Sequence, residues 1–496
     1  MEDGELMGDK LKLGLREKIS YGLGAVGKDM VYMLSASYIL YYYQDIMGVS
    51  AIAMGIILLA ARVFDAFNDP IMGIIVSKTK TRWGKFRPWL LIGTITNAII
   101  LYLMFACPPS LNGNGLVAYA AVTYILWGVT YTMMDIPYWS MIPAFTEGGK
   151  EREGLSALAR SCAGVGSAVV SIVTVLCVSA LGNKFGGNLV AQYQQAISDF
   201  GETSAQAVAL KGQMDRIGYQ YFALAIAVLF IIFTVICCIN IKEKSTVDVK
   251  TSSVGDMFKA LFHNDQAVTM VIAIVMINTA LYITSNLVIY FFKYDFSPAQ
   301  WETNYTLFNT FGGGFQILAM MILFPLFRAF INTMKIFYTC FFMAFLGYII
   351  LLCIAFTGTS NFWTLVPSAF LIMSAIGMLN VVVTVFLANT VDYGELKNGH
   401  REEAVIFSMQ TFVVKLASGL SALIASIILA VFHISKDSFT GTILSQSSRM
   451  GLRMCMTLIP MAVLIVGLIV FKRHYILNDE KISEISQQLK AKADKA

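Results

Sequence analysis

Arg62, Asp65 and Asp69 stand three and four residues apart in the run ARVFDAFNDPIMG, inside a long apolar segment. Those spacings put three ionisable side chains on one helical face, with Asn68 beside them. A charge at bilayer depth costs from roughly 3 to over 10 kcal/mol, so such residues face a protein interior or a water-filled path. Paired carboxylates beside an amide are the chemistry of an ion or substrate site. A salt bridge holding two helices together is the plainer alternative.

Further ionisable groups lie deep in apolar stretches: Lys28, Asp29, Asp135, Arg160 and Lys415. Thr132, Asp135 and Trp139 keep to one helical face by steps of three and four, as do Thr411 and Lys415. If Asp65 and Asp69 share a pocket with Lys415, two negative charges and one positive are balanced by one monovalent cation. The oxygens of Asn68 and Thr132 add neutral ligands, which hard cations favour. That tilts the coupling ion toward Na+, with Li+ and H+ left open, because the same oxygens also hydrogen-bond a protonated aspartate. Asp29, Asp135, Arg160 and Trp139 suit a different ligand. Carboxylates accept from hydroxyls, a guanidinium donates in a fork, and an indole face covers the C–H surface of a sugar ring.

The elements that must position these groups are membrane helices. Hydrophobic residues make up 57% of the 496 and charged residues only 14%, which excludes an ordinary soluble protein. Each crossing needs about 20 residues, and twelve spans are expected: 19–44, 49–77, 88–107, 114–141, 154–181, 217–241, 267–293, 302–327, 335–357, 361–390, 403–433 and 449–471. The charged start MEDGELMGDKLKLGLREK lacks a cleavable signal pattern, so the N-terminus is expected inside. The loop after the second span carries Lys78, Lys80, Arg82, Lys85 and Arg87, while those after the first, third and ninth carry no Lys or Arg. This asymmetry places both termini in the cytoplasm of a multi-pass plasma-membrane protein. The polar run IKEKSTVDVKTSSVGD divides the chain into an N-terminal six-helix bundle (1–241), a cytoplasmic loop (242–266), a C-terminal six-helix bundle (267–471) and a cytoplasmic tail (472–496) read as a solvated helix. The segment 183–216 is too polar to cross, and reads as a small surface helix or a flexible flap.

The eight cysteines and four histidines show no metal-type spacing, and there is no nucleophile–base pair or phosphate-binding glycine loop, so no enzyme and no cofactor are expected. The net charge of +5 calls for no nucleic acid. Gly22, Gly24 and Gly27, like Gly312, Gly313 and Gly314, read as close-packing points.

YGLGAVGKD from Tyr21, RVFDAFNDPIMG with RWGKFRPW from Arg82, YTMMDIPYWS from Tyr131, VDYGE from Val391 and QTFVVK from Gln410 resemble, in order along the chain, the glycoside-pentoside-hexuronide:cation symporter family of the major facilitator superfamily. The resemblance implies an all-α polytopic membrane protein of twelve helices in two six-helix bundles, with ligands near mid-membrane and access alternating between sides. By position, Asp65, Asn68, Asp69 and Thr132 match the cation site, with Lys415 beside it. Asp29, Asp135, Trp139 and Arg160 match the substrate site, with Lys28, Trp127, Asn380, Gln410 and Thr411 near it. Arg82, Lys85, Arg87, Asp392, Glu395 and Arg401 match cytoplasmic segments that latch the outward-facing state. Ala36, Asn380 and Asn389 depart from the best-matching members, which carry two aromatic residues and an aspartate there. The function implied is symport of a sugar or glycoside with a monovalent cation. The alternatives are a hexuronide or glucuronide, for which Lys28 is a spare cation, a lysolipid-like substrate, or a non-transporting sensor.

Overall fold

The computed structural model of the chain describes residues 13–145, 149–202, 204–243, 259, 262–398, 403–434 and 444–493, and within them the regular elements are helices. The chain forms two compact units, Met1–Thr251 with Ser435–Thr442, and Ser252–Ile434 with Ile443–Ala496. In the first unit, α1 (Leu15–Tyr41) runs into a wider π-helical turn, Tyr42–Ile46, and is followed by α2 (Ala51–Lys78), α3 (Arg87–Phe105), α4 (Gly113–Ser140), α5 (Gly149–Phe185), α6 (Asn188–Phe200) and α7 (Ala205–Asn240). The second holds α8 (Asp265–Phe291), whose end widens into the π-turn Phe292–Phe296, then α9 (Trp301–Leu318), α10 (Thr333–Thr357), α11 (Val366–Asn398), α12 (Glu403–Val431), α13 (Gln446–His474) and α14 (Asp479–Ala493).

Among the described residues, eleven helices are long and apolar enough to cross a membrane. α1 has the length, at 27 residues, but its glycines, its serines and the Lys28–Asp29 pair lower its hydropathy. In α2, Ile52, Ile56, Phe64, Phe67, Ile71 and Ile75 are exposed while Arg62 and Asp65 are buried. The apolar stripe therefore faces outward, as lipid requires, and the ionisable stripe faces protein. Close approach between helices depends on small residues. A Cβ on Gly166 would strike the carbonyl of Val26, and one on Gly218 the carbonyl of Val178, so α5 lies tight against both α1 and α7.

The two units repeat one neighbour pattern. α1 packs on α5 and α7, α3 on α4 and α7, and α2 on α4; α8 packs on α12 and α13, α10 on α11 and α13, and α9 on α11. The repeat extends to detail, since both π-turns carry an acid at the fourth residue, Asp45 and Asp295, and both acids are buried. Asp295 is held by Arg453 of α13 through two bonds of 2.6 Å.

Several local expectations change. The polar segment 183–216 holds the helix α6 and the first turns of α7, which begins at Ala205, well before the apolar stretch that crosses. The tail helix α14 is not simply solvated: it packs on α11, with Ile485 only 4% exposed. The DYGE sequence is not a turn either. Residues 392–395 continue α11, and Gly394 accommodates the Asn264 amide, which donates to the Thr390 carbonyl at 2.7 Å.

Candidate functional site

The cation-type residues form a ladder between α2 and α4, which are parallel where they meet. At the first rung Arg62 Nη2 donates to the Tyr124 hydroxyl at 2.9 Å. At the second, Asp65 lies against Gly128, where a Cβ would come within 2.8 Å of Asp65 Oδ1. At the third, Thr132 Oγ1 donates to Asp69 Oδ1 at 2.9 Å. The rungs follow from matched steps of three or four residues on both helices. Asp65 is 4% exposed, and one of its oxygens is held by Arg62 Nη1 at 3.1 Å. The plainer reading is thus present too, though the ion pair lies within one helix instead of joining two. Asn68 Nδ2 is buried with no hydrogen-bond partner, and turning the amide over would aim its oxygen into the same space. Two carboxylates, an amide and a hydroxyl, less the one positive charge of Arg62, leave one net negative charge. That donor set suits a single monovalent cation, and the counter-charge that the sequence pointed to in Lys415 is already supplied within the first unit.

On its other face α4 meets α1 through long side chains. Lys28 Nζ lies 2.7 Å from Asp135 Oδ1 and 3.1 Å from Asp29 Oδ2, and it donates to the Tyr131 hydroxyl at 3.2 Å. Trp139 Nε1 donates to Asp135 Oδ1 at 3.1 Å, and the Arg160 guanidinium stands 5.1 Å over the Trp139 ring. Lys28, Asp29, Asp135, Trp139 and Arg160 are therefore one cluster with no net formal charge. Lys28 is not a spare cation, being shared by two carboxylates. Asp29 Oδ2 has the Coulombic contact with Lys28 but no hydrogen bond, so an acceptor remains for a ligand hydroxyl. Trp127 is set back from this cluster. It is 1% exposed and packed between Tyr124 and Tyr131 at ring-centre distances of 5.7 and 5.2 Å.

Aromatic residues join the two sites. The Arg62 guanidinium lies 5.9 Å from the Tyr32 ring, Tyr32 is 5.5 Å from the Tyr131 ring, and the Tyr131 hydroxyl holds Lys28. Tyr32, Tyr124 and Tyr131 were not singled out from sequence, although Tyr32 lies four residues after Lys28, Tyr124 four before Gly128, and Tyr131 four before Asp135. Below them, Tyr21 and Tyr138 stack at 4.4 Å and exchange hydroxyl-to-carbonyl bonds of 2.5 and 2.7 Å, fixing α1 against α4.

The basic loop is organised by a residue that sequence reasoning missed, Glu243. Its carboxylate accepts from the backbone N–H groups of Lys85, Phe86 and Arg87 at 2.6, 3.0 and 3.0 Å, where the unpaired N–H groups at the start of α3 attract an anion. Arg87 donates from Nη2 to the Cys238 carbonyl, Lys85 is buried and Arg82 is exposed. In the second unit, Asp265 is bonded by Lys397 at 2.5 Å and by Tyr393 at 3.2 Å, tying α8 to the end of α11 beside Asp392 and Glu395. Asn380 is exposed on α11, and Gln410 and Lys415 are partly buried on α12. Arg401 lies outside the described residues, as does the Thr411 side chain.

The chain matches the family model described as MFS/sugar transport protein over residues 20–479. It is similar to the lactose permease of Lactobacillus delbrueckii subsp. bulgaricus, 27% identical over 97% of this chain and 73% of the relative. It is similar also to the putative glycoside/cation symporter YagG of Escherichia coli, 27% identical over 96% of this chain and 95% of the relative. Among solved structures it resembles a bacterial homolog of the human lysosomal transporter Spinster in an inward-facing, unoccupied conformation, with a TM-score of 0.63 at 11% identity, covering 95% of this chain and 97% of that one. That likeness concerns the fold alone.

Proposed function

Because the chain belongs to the MFS/sugar transport protein family, in its glycoside-pentoside-hexuronide:cation symporter branch, we propose that it carries a neutral sugar or glycoside across the plasma membrane together with one sodium ion, by alternating access. The observation that carries this reading is the double use of α4. One face bears the Arg62–Asp65 and Asp69–Thr132 rungs, and the other bears the Lys28–Asp135–Trp139 cluster.

The coupling has a physical route. A cation ligated by Asp65 and Asp69 shares the Asp65 carboxylate with Arg62, which loosens the Arg62 contact and lets the guanidinium settle on Tyr32 and Tyr124. Tyr32 in turn positions Tyr131, and with it Lys28 between Asp29 and Asp135. The sugar meets a cluster whose carboxylates are turned toward its hydroxyls, with the Trp139 face for its C–H surface. Coupling of this kind is reciprocal, and sugar must tighten cation binding by the same factor. The neutral formal charge of the cluster favours a neutral ligand over a uronide. Lys415 beside the cation site, the cytoplasmic latch, and cytoplasmic placement of both termini belong to the same proposal.

Asp69→Asn in membrane vesicles is the direct test. Uphill sugar accumulation driven by a sodium gradient is expected to disappear, while downhill exchange of sugar survives. Unchanged uphill uptake overturns the assignment. Counterflow with a panel of sugars, with and without sodium at several pH values, separates sodium from proton coupling: a requirement for acid pH that sodium does not relieve rules sodium out.

A further inference from the structure

The first unit carries a second concave surface, away from the charged cluster. α7 is 36 residues long, roughly 16 more than a crossing needs, so its first turns project beyond the apolar span and pair with α6 as a helical hairpin. The hairpin is built to be rigid. Ser204 caps α7 by accepting from the Ala207 N–H at 3.3 Å, Ala196 and Ala207 are buried, and Lys211 Nζ donates to Ser179 Oγ of α5 at 2.7 Å. The two helices enclose a hollow of about 380 Å³, rimmed by Gln192, Gln195, Asp199, Phe200, Gln206 and Gln213. These residues recur at steps of three, four or seven on both helices, so they face the hollow together. The size falls within the range of small-molecule sites.

We infer that this hairpin is a carbohydrate-capture groove, a separate sugar-binding site in front of the Lys28–Asp135 cluster. Four of the six rim residues are glutamines. An amide is the neutral side chain that both donates and accepts in one plane, which is what vicinal hydroxyls require, while a single carboxylate adds a strong acceptor. Phe200, 66% exposed, offers a flat apolar face of the kind a pyranose ring covers with its C–H surface. An ion would find almost no charge here and a lipid tail almost no apolar wall, so a neutral polyol is the class that fits. The inference rests on the transport reading for the side of the membrane the groove faces.

The groove is tested with Ala209→Cys, a reporter on its floor, placed in full-length protein that also carries Asp135→Asn to disable the central cluster. A membrane-impermeant maleimide is applied outside right-side-out vesicles, with wild-type cysteine background subtracted, in the presence of lactose, raffinose or methyl β-xyloside. Alkylation of Cys at 209 is expected from outside, and at least one sugar is expected to slow it by the factor 1 + [L]/Kd, roughly threefold at twice the dissociation constant. The protection should vanish in Gln195→Ala/Gln213→Ala, whose alkylation without sugar is unchanged. No labelling from outside, equal rates with and without every sugar, or protection that survives removal of both glutamines overturns the proposal. Uptake by Asp135→Asn alone reports separately on the central site, so failure of the transport reading is told apart from failure of the groove.

Discussion

At the scale of single residues, Arg62 is the group whose removal is most informative. It holds Asp65 at 3.1 Å and Tyr124 at 2.9 Å, so it is a competitor for the cation and also the first link toward the sugar cluster. Arg62→Gln is expected to leave sodium binding at least as tight, because the site gains net negative charge. The factor by which sodium raises sugar affinity, about 5- to 150-fold for ordinary coupling, should fall toward one. Calorimetric sugar titrations with and without sodium read this ratio, and an unaltered ratio removes Arg62 from the route. The face shared by Arg62, Asp65 and Asp69 was legible in sequence because ionised residues are rare in apolar spans. Tyr32, Tyr124 and Tyr131 were not, since a tyrosine in such a span reads as packing until it is known that α1 and α2 both meet α4.

At the scale of elements, the start of α3 depends on a carboxylate more than 150 positions away in the chain. Glu243 accepts three backbone N–H bonds at once, as a charged cap on a helix N-terminus. Glu243→Gln keeps one acceptor oxygen and loses the charge, an expected cost of about 1–2 kcal/mol. A lower thermal midpoint together with faster tryptic cleavage at Arg82 or Lys85 is the expected result; unchanged cleavage means the loop is held by other contacts. The sequence marked RWGKFRPW as a basic loop, but no local pattern pointed to residue 243. DYGE was misread for a related reason. Its glycine suggested a turn, whereas the contact that decides the matter, Asn264 against Gly394, joins residues distant in the chain.

At the scale of the whole molecule, each unit closes its own set of helix contacts in the same pattern. Membrane helices associate through such packing after they insert, so residues 1–251 and 252–496 made as separate chains are expected to restore sodium-driven uptake when produced together and to give none singly. Failure of the pair, with both pieces inserted, means that covalent connection is needed for assembly. The division into two halves was visible in the polar run after Ile241, and the count of crossings in the apolar lengths. The likeness between the halves was hidden, since little beyond an acid at the fourth place of YYQDI and FKYDF marks it.

Those two helix ends share a surplus. A π-turn is an α-helix that has taken in one residue too many, and its bulge is what swings the acid inward. Deleting Lys293 lets the backbone close to ordinary pitch and turns Asp295 by about 100°, parting it from Arg453 while both charges stay in the chain. Stranding a buried charge costs about 3–5 kcal/mol, so the shortened protein should melt as early as Asp295→Ala does; an unshifted melt would show that the bulge is ornamental to the pair.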